Sequence, residues 1–228
     1  MSENKLLDSL RGALIVSVQA DAGNPLDDPY ILAAMAKSVV QGGAGAIRAG
    51  SPDNISAIRR VADVPIIGIY KYTYPDTPVY ITPTMKEARQ VVDAGCDILA
   101  VDATRQVRPE GETLAGYFKQ LKAAFSLPVM ADISTLDEGL YAAELGADLV
   151  ATTLAGYTPY SSRGDGPDLQ LIEALASQLR VPVIAEGHIR SPDEARRALD
   201  AGAYAVVVGS MITRPGMITA HFLAGMRR

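Results

Sequence analysis

The fold is decided by the stretch from residue 181 to residue 210, VPVIAEGHIRSPDEARRALDAGAYAVVVGS. It contains two apolar runs, at 182–186 and 204–208, with a helical segment at 191–201 between them. That segment opens with Ser191-Pro192-Asp193-Glu194, a capping box with proline in the first turn. Strands that are apolar on both faces are typical of parallel sheets, so the stretch predicts a strand–helix–strand unit.

Two strand signals recur along the whole chain. One is a glycine that supplies the left-handed conformation at the end of a helix, just before an apolar run. It occurs at Gly43, Gly95, Gly146 and Gly202, spaced by 52, 51 and 56 residues. The other is a proline at the start of an apolar run, where the strand needs no hydrogen-bond donor yet. It occurs at Pro65, Pro128 and Pro182.

Interleaving the two signals predicts eight strands that alternate with helices. The strands are expected near 14–18, 44–48, 65–70, 97–101, 128–132, 148–152, 182–186 and 204–208. Eight units in 228 residues allow about 28 residues each, which suits a closed parallel barrel. We therefore predict an α/β protein, a single (β/α)8 TIM barrel over residues 1–228. An open doubly wound sheet is the structural alternative.

Composition narrows the class of protein. Hydrophobic residues make up 48% of the chain and charged residues 21%, with a net charge of −5. A negative surface repels a phosphate backbone, which argues against a nucleic-acid partner. The single cysteine, Cys96, excludes an internal disulfide and fits a reducing compartment. The first five residues do not read as a signal peptide, and no apolar run approaches ~18 residues. We expect a soluble cytoplasmic protein with no membrane partner.

Polar residues follow the predicted strands at one end. Active sites of parallel barrels lie where the strands run into the following loops, so these residues predict the site. They are Gln19, Arg48, Lys71, Asp102, Asp132, Thr153, Glu186 and Ser210. The structural alternative is that Lys71 and Glu186 are halves of ion pairs that fill a layer of the barrel.

Small residues follow strands 7 and 8. Gly187, Gly209 and Ser210 would let backbone N–H groups approach an anion, and barrels often bind phosphate at this position. Arg214 follows and could pair with a phosphate or a carboxylate. The alternative is that these glycines only turn the chain.

Metal and nucleophile chemistry is poorly supported by the sequence. With only two histidines, the chain has no three-histidine site. A carboxylate metal site from Asp102 and Asp132 is conceivable but lacks a diagnostic spacing. Cys96 precedes strand 4, at the wrong end for a nucleophile, and reads as a small core residue. The glycine fingerprint of dinucleotide binding is missing. We therefore predict no metal and no cofactor.

Eight segments together carry a family resemblance. They are 12–20 (GALIVSVQA), 46–49 (AIRA), 69–71 (IYK) with 79–84 (VYITPT), 99–104 (LAVDAT), 130–135 (MADIST), 152–158 (TTLAGYT) and 185–189 (AEGHI). At these positions the chain resembles the N-acetylmannosamine-6-phosphate 2-epimerases of sialic acid catabolism. The runs YITPT and TTLAGYT are specific when they occur together. The chain departs from the family pattern at His188, where Arg or Lys is common, and at Tyr72-Thr73, where Arg-Asp is common.

The resemblance implies an isomerase that interconverts N-acetylmannosamine 6-phosphate and N-acetylglucosamine 6-phosphate by proton exchange at carbon 2. It implies that Lys71 and Glu186 are catalytic. It also implies that the substrate is bound by Gln19, Arg48, Asp132 and Arg214. The backbone of Gly187, Gly209 and Ser210 would hold the phosphate.

Three alternatives use the same barrel differently. A Schiff-base aldolase or synthase would also need a lysine on an inner strand. A barrel without activity could serve as a sugar-phosphate sensor. A pentulose-phosphate epimerase would need a metal and several histidines, which this chain lacks. Finally, the apolar run Met217–Leu223 near the carboxyl terminus suggests a homodimer contact.

Overall fold

The computed structural model describes residues 3–162 and 164–226, which form a closed barrel of eight parallel strands. The strands are β1 (Leu14–Val18), β2 (Ala46–Gly50), β3 (Ile66–Ile69), β4 (Ile98–Asp102), β5 (Val129–Asp132), β6 (Leu149–Ala151), β7 (Val183–Glu186) and β8 (Ala205–Val208). Each strand pairs in parallel with the next, and β8 pairs with β1 to close the barrel. The predicted barrel is confirmed, and the doubly wound alternative is wrong.

Helices alternate with the strands around the barrel. They are α1 (Glu3–Asp8), α2 (Pro29–Gln41), α3 (Pro52–Arg59), α4 (Met85–Asp93), α5 (Leu114–Ala124), α6 (Leu136–Glu144), α7 (Leu169–Gln178), α8 (Pro192–Asp200), α9 (Ser210–Thr213) and α10 (Pro215–Met226). No helix in the described ranges is long and apolar enough to cross a membrane. Met1 and Ser2, on which the signal-peptide expectation partly rests, lie outside the described residues.

The repeated glycines and prolines have the local roles predicted for them. Gly43, Gly95, Gly146 and Gly202 have φ of +101°, +95°, +95° and +102°, the left-handed conformation that ends a helix before the next strand. Pro65, Pro128 and Pro182 lack an N–H, but their carbonyls accept bonds from Ile47, Leu99 and Val150 of the preceding strand. All eight strands begin and end within two residues of the predicted bounds.

Helix α8 begins as the sequence predicts. The Ser191 hydroxyl accepts a hydrogen bond from the Glu194 N–H at 3.2 Å, and the Glu194 carboxylate accepts one from the Ser191 N–H at 3.2 Å. Pro192 occupies the first turn, where its missing N–H costs nothing. This reciprocal cap fixes the exit of the loop that follows β7.

Two apolar layers hold the barrel. One fills its interior with inward side chains of the strands and extends to Leu6 and Leu10 near α1. The other lies between the strands and the surrounding helices. In α4, Ala88 and Val91 are buried in this outer layer, and Met85 and Val92 pack against it.

The outer layer is tightly packed around Gly68 in β3. A Cβ added there would lie 2.6 Å from Val91 Cγ1 and 2.7 Å from Cys96 Cβ, closer than carbon atoms pack. Gly68→Ala should therefore lower the free energy of unfolding by about 1–3 kcal/mol, as overpacked cores do. Urea denaturation followed by circular dichroism measures this change.

The control is Gly216→Ala in α10, where an added Cβ would meet nothing within 4 Å. It should leave stability unchanged or slightly raised, because alanine favours helix. An equal loss of stability in both variants would contradict the packing argument.

Candidate active site

Arg48 lies at the centre of the barrel mouth and is almost fully buried, with 1% of its surface exposed. Its two terminal nitrogens reach the Asp132 carboxylate of β5 at 3.1 and 2.5 Å, and Nη1 also lies 3.1 Å from Glu186 Oε2 of β7. Burial works against its charge, but the attraction of Asp132 and Glu186 outweighs this and raises the pKa of Arg48. Arg48 therefore remains a fixed cation inside the barrel.

Thr153 completes this network from the loop after β6. Its hydroxyl contacts Asp132 Oδ1 at 2.6 Å and Glu186 Oε2 at 3.2 Å. Four strands or their loops thus meet through one set of hydrogen bonds. The sequence placed Arg48 at the end of its strand, but β2 runs two residues further, to Gly50. A charged residue interrupts an apolar run without ending the strand, because its ion partners are inside the barrel.

Lys71 is held by a small antiparallel hairpin that follows β3. Its backbone bridges to Ile81, flanked by hydrogen bonds from the Tyr72 N–H to the Tyr80 carbonyl and from the Thr82 N–H to the Tyr70 carbonyl, at 2.9 and 2.8 Å. Lys71 forms no ion pair with any residue in the described ranges. Lys71 as a whole is exposed. Partial burial of its amine and the nearby Arg48 charge lower the pKa of Lys71, although Asp21 and Glu186 act in the opposite direction.

Glu186 is the last residue of β7. Burial raises its pKa to about 7, since Arg48 and the Thr153 hydroxyl only partly offset the loss of water. Glu186 can therefore exchange a proton near neutral pH. The barrel mouth thus holds an amine with a lowered pKa and a carboxyl group with a raised pKa, a pairing typical of acid–base sites.

A cavity of about 420 Å³ opens at the carboxyl ends of the strands. It is lined by the site residues predicted from the sequence except Asp102 and Asp132, namely Gln19, Arg48, Lys71, Thr153, Glu186, Gly187, Gly209, Ser210 and Arg214. Asp102 is fully buried and is bonded to Thr104 instead. Asp132 is fully buried and absent from the lining, bonded to Arg48 and Thr153. Direct contact between Asp132 and the substrate stays a prediction.

The sequence reasoning missed several lining residues. They are Asp21, Tyr80, Tyr157, Arg190 and Thr213. Thr213 ends α9, and the others lie in loops or on the hairpin, away from the strand ends that guided the search. Burial raises the pKa of Tyr80 to about 12, so its hydroxyl remains protonated.

One end of the cavity is built from the loops after β7 and β8. Gly187 has φ of +107°, and a Cβ on Gly209 would lie 3.1 Å from Ser17 Cβ, so both positions favour glycine. Arg214 also lines this end, and its guanidinium is bonded to Asp21 at 2.8 and 3.0 Å. His188 lies on the same wall, stacked on Tyr157 with ring centroids 4.9 Å apart.

Neither a metal centre nor a cysteine nucleophile is built here. Within residues 3–162 and 164–226, no three His, Cys, Asp or Glu side chains are grouped to hold a metal ion. Cys96 is buried beside Gly68, as predicted for a core residue, and burial raises the pKa of its thiol to about 12.

Fold and cavity define the class, a (β/α)8-barrel enzyme with an acid–base site at the carboxyl ends of its strands. A sequence profile of the family described as "Putative N-acetylmannosamine-6-phosphate epimerase" matches residues 32–228. The chain belongs to this family.

Individual relatives agree with this assignment. The protein from Caldanaerobacter subterraneus subsp. tengcongensis, described as "Putative N-acetylmannosamine-6-phosphate 2-epimerase", is 50% identical over 96% of this chain and 92% of its own. A protein with the same description from Cutibacterium acnes is 47% identical over 98% of both chains. The solved structure of the N-acetylmannosamine-6-phosphate 2-epimerase from Clostridium perfringens matches with a TM-score of 0.94 and 46% identity, covering 97% of this chain and 96% of that one.

More distant solved structures share only the barrel. A thiamine phosphate pyrophosphorylase from Pyrococcus furiosus matches with a TM-score of 0.61 at 19% identity, over 96% of this chain and 98% of that one. A likeness at this level of identity concerns the fold alone.

The buried ion pair yields a stability prediction. Arg48→Met leaves Asp132 buried without its counter-ion, so the free energy of unfolding should fall by roughly 3–5 kcal/mol. Urea denaturation at constant pH measures the change.

Arg196→Met is the matched control, because Arg196 pairs with Asp193 and Asp200 on the exposed surface of α8. It should change stability little. If Arg48→Met lowered the free energy of unfolding as little as Arg196→Met does, the buried network would not stabilise the barrel.

Proposed function

We propose that this protein interconverts N-acetylmannosamine 6-phosphate and N-acetylglucosamine 6-phosphate by removing and returning the proton at carbon 2. The observation that carries the proposal is Lys71, an amine with a lowered pKa that shares one cavity with Arg48 and Glu186. Membership of the epimerase family supports the same reaction.

The chemistry requires an open-chain sugar. Carbon 2 is then next to the aldehyde, and its C–H bond is weakly acidic, because the electrons left behind pass to the aldehyde oxygen. A free lysine, with a pKa of about 10.4, is mostly protonated at neutral pH and cannot act as a base. The lowered pKa of Lys71 increases the fraction of free amine. Lys71 then takes the carbon-2 proton on its Nζ.

The enolate that forms carries negative charge on oxygen. Arg48 is a fixed cation on the cavity wall, and a preorganised charge of this kind stabilises an oxyanion without having to move. Glu186 assists ring opening or positions the sugar, since it can hold or release a proton near neutral pH. Inversion is completed when a proton reaches the opposite face of carbon 2.

The remaining lining residues bind the substrate. The Gln19 amide donates to the Ser17 hydroxyl at 2.8 Å, and its carbonyl oxygen is left to accept a bond from the sugar. Asp132 lies behind the lining and acts through Arg48, which it orients. The backbone at Gly187, Gly209 and Ser210, with Arg214, receives the phosphate. The reaction moves only a proton, so the mechanism requires no cofactor.

The test is proton NMR of N-acetylmannosamine 6-phosphate with the purified protein in deuterated water. The expected result is conversion to the glucosamine epimer with loss of the carbon-2 proton signal, because the exchanged proton comes from solvent. Lys71→Ala should lower the conversion rate by at least 10²-fold, the typical contribution of a general base.

Lys37→Ala is the matched control, since Lys37 is exposed on α2 and does not line the cavity. If folded wild-type protein converts no substrate, the proposed epimerase activity is contradicted. Trapping of substrate on Lys71 by borohydride would then favour a Schiff-base enzyme, and binding without turnover would favour a sensor.

We also propose that the protein works as a homodimer in the cytoplasm. Apolar side chains of α10 lie in water, with Met217, Phe222, Leu223 and Met226 exposed at 50%, 65%, 52% and 74%. An apolar surface of this kind is typical of a contact between identical subunits. A chain whose single cysteine is buried needs no oxidising compartment.

The dimer is tested by mass in solution. Phe222→Glu should convert a dimeric species into monomers in analytical ultracentrifugation, because a carboxylate cannot be buried in an apolar contact without a partner. Tyr30→Glu, at an exposed site on α2, is the control and should remain dimeric. A monomeric wild-type protein would contradict the proposal.

A further inference from the structure

An ion pair closes the rim of the cavity between its two most distant loops in sequence. Arg214, just after α9, donates from both terminal nitrogens to the two carboxylate oxygens of Asp21, at 2.8 and 3.0 Å. Asp21 lies in the loop that follows β1. Both residues line the cavity where the loops after β7 and β8 meet.

The pair occupies the atoms that a phosphate would use. The guanidinium recognises carboxylate and phosphate with the same planar pair of N–H donors. Both terminal nitrogens of Arg214 are already bonded to Asp21. A phosphate that engages Arg214 through this fork must therefore displace the Asp21 carboxylate.

The pair is also open to exchange. The Asp21 side chain is 62% exposed and that of Arg214 is 28% exposed, so water screens their attraction. A phosphate carries more negative charge than a carboxylate and offers more acceptor oxygens. A phosphate can therefore displace the Asp21 carboxylate at a small cost in free energy, and the Arg214 guanidinium is already held at the rim.

We propose that Asp21 is a positioning residue that holds Arg214 at the rim of the free enzyme and competes with the substrate phosphate for its guanidinium. The inference rests on the proposed function, in which Arg214 receives that phosphate. Phosphate binding releases Asp21 and leaves Arg214 neutralised by the ligand instead.

Loss of the Asp21–Arg214 ion pair also affects the pKa of Lys71. The charged groups that face Lys71 are Arg48 from β2, Glu186 from β7, Asp21 and Arg214. Asp21 raises the pKa of Lys71, whereas Arg214 lowers it. Removing the Asp21 charge should therefore shift the acid limb of the kcat/KM profile to lower pH, because Lys71 loses its proton more easily.

The experiment compares Asp21→Asn with Asp27→Asn, which removes the same charge from the same loop without touching Arg214 or lining the cavity. Inorganic phosphate is the probe, and its affinity is measured by phosphorus NMR titration, which needs no turnover. Asp21→Asn should bind phosphate about two- to fivefold more tightly, the range expected for a surface ion pair. Asp27→Asn should match the wild type.

A double-mutant cycle isolates the pair. In an Arg214→Gln background, Asp21→Asn should no longer improve phosphate affinity. A gain that persists there would mean that Asp21 merely repels the anion, and weaker phosphate binding in Asp21→Asn would mean that it only organises Arg214. Either result, or an equal gain in Asp27→Asn, would overturn the proposal.

Kinetics separate this inference from the proposed function. In an active epimerase, Asp21→Asn should lower KM for the sugar phosphate and shift the acid limb to lower pH. If the wild type binds phosphate and the titrations behave as expected but no epimerisation occurs, the proposed function fails while the competition stands.

Discussion

The barrel mouth depends on one buried cation. Arg48 is enclosed by the strands, and its charge is tolerated only because Asp132 and Glu186 reach it from β5 and β7. The Arg48 guanidinium thus joins β2 to β5 and β7, which are not its neighbours in the sheet. The Thr153 hydroxyl, from the loop after β6, adds hydrogen bonds to Asp132 and Glu186. This network holds the ends of these strands in one relative arrangement.

The same cation sets the chemistry around it. Its field lowers the pKa of Lys71, and it limits the rise in the pKa of Glu186 that burial causes. The sequence left open that Lys71 and Glu186 are halves of ion pairs that fill a layer of the barrel. The structure bears this out for Glu186 alone. Glu186 does contact a cation, but the partner is Arg48. Lys71 is left available at the cavity surface.

Local rules account for what the sequence predicted well. A left-handed glycine, a proline before a strand and a capping box each act through a few adjacent residues, so their positions mark the strands directly. The carboxyl ends of the strands then pointed to Lys71, Glu186, Arg48 and Gln19, because parallel topology brings these ends together.

Partner choice was not accessible in the same way. The bonds from Arg48 to Asp132 and from Arg214 to Asp21 join residues 84 and 193 positions apart, and nothing near either residue specifies its partner. Tyr80 reaches the cavity only because the loop after β3 folds back as a hairpin. The strand signals in the sequence did not predict this hairpin. Pairings of this kind emerge from the closed barrel and cannot be deduced from its segments.

The pairing of β1 with β8 has a consequence for the order in which the chain folds. The β1–β8 contact and the bond from the Thr213 hydroxyl to the Ser17 carbonyl join opposite ends of the chain, the latter across 196 positions. The end of the cavity that is built from the loops after β7 and β8 lies on this seam. Such remote contacts form late, since closing a long loop costs entropy before any contact repays it. During synthesis, the residues of β1 to β7 therefore emerge before the loop after β8 can complete this end of the cavity.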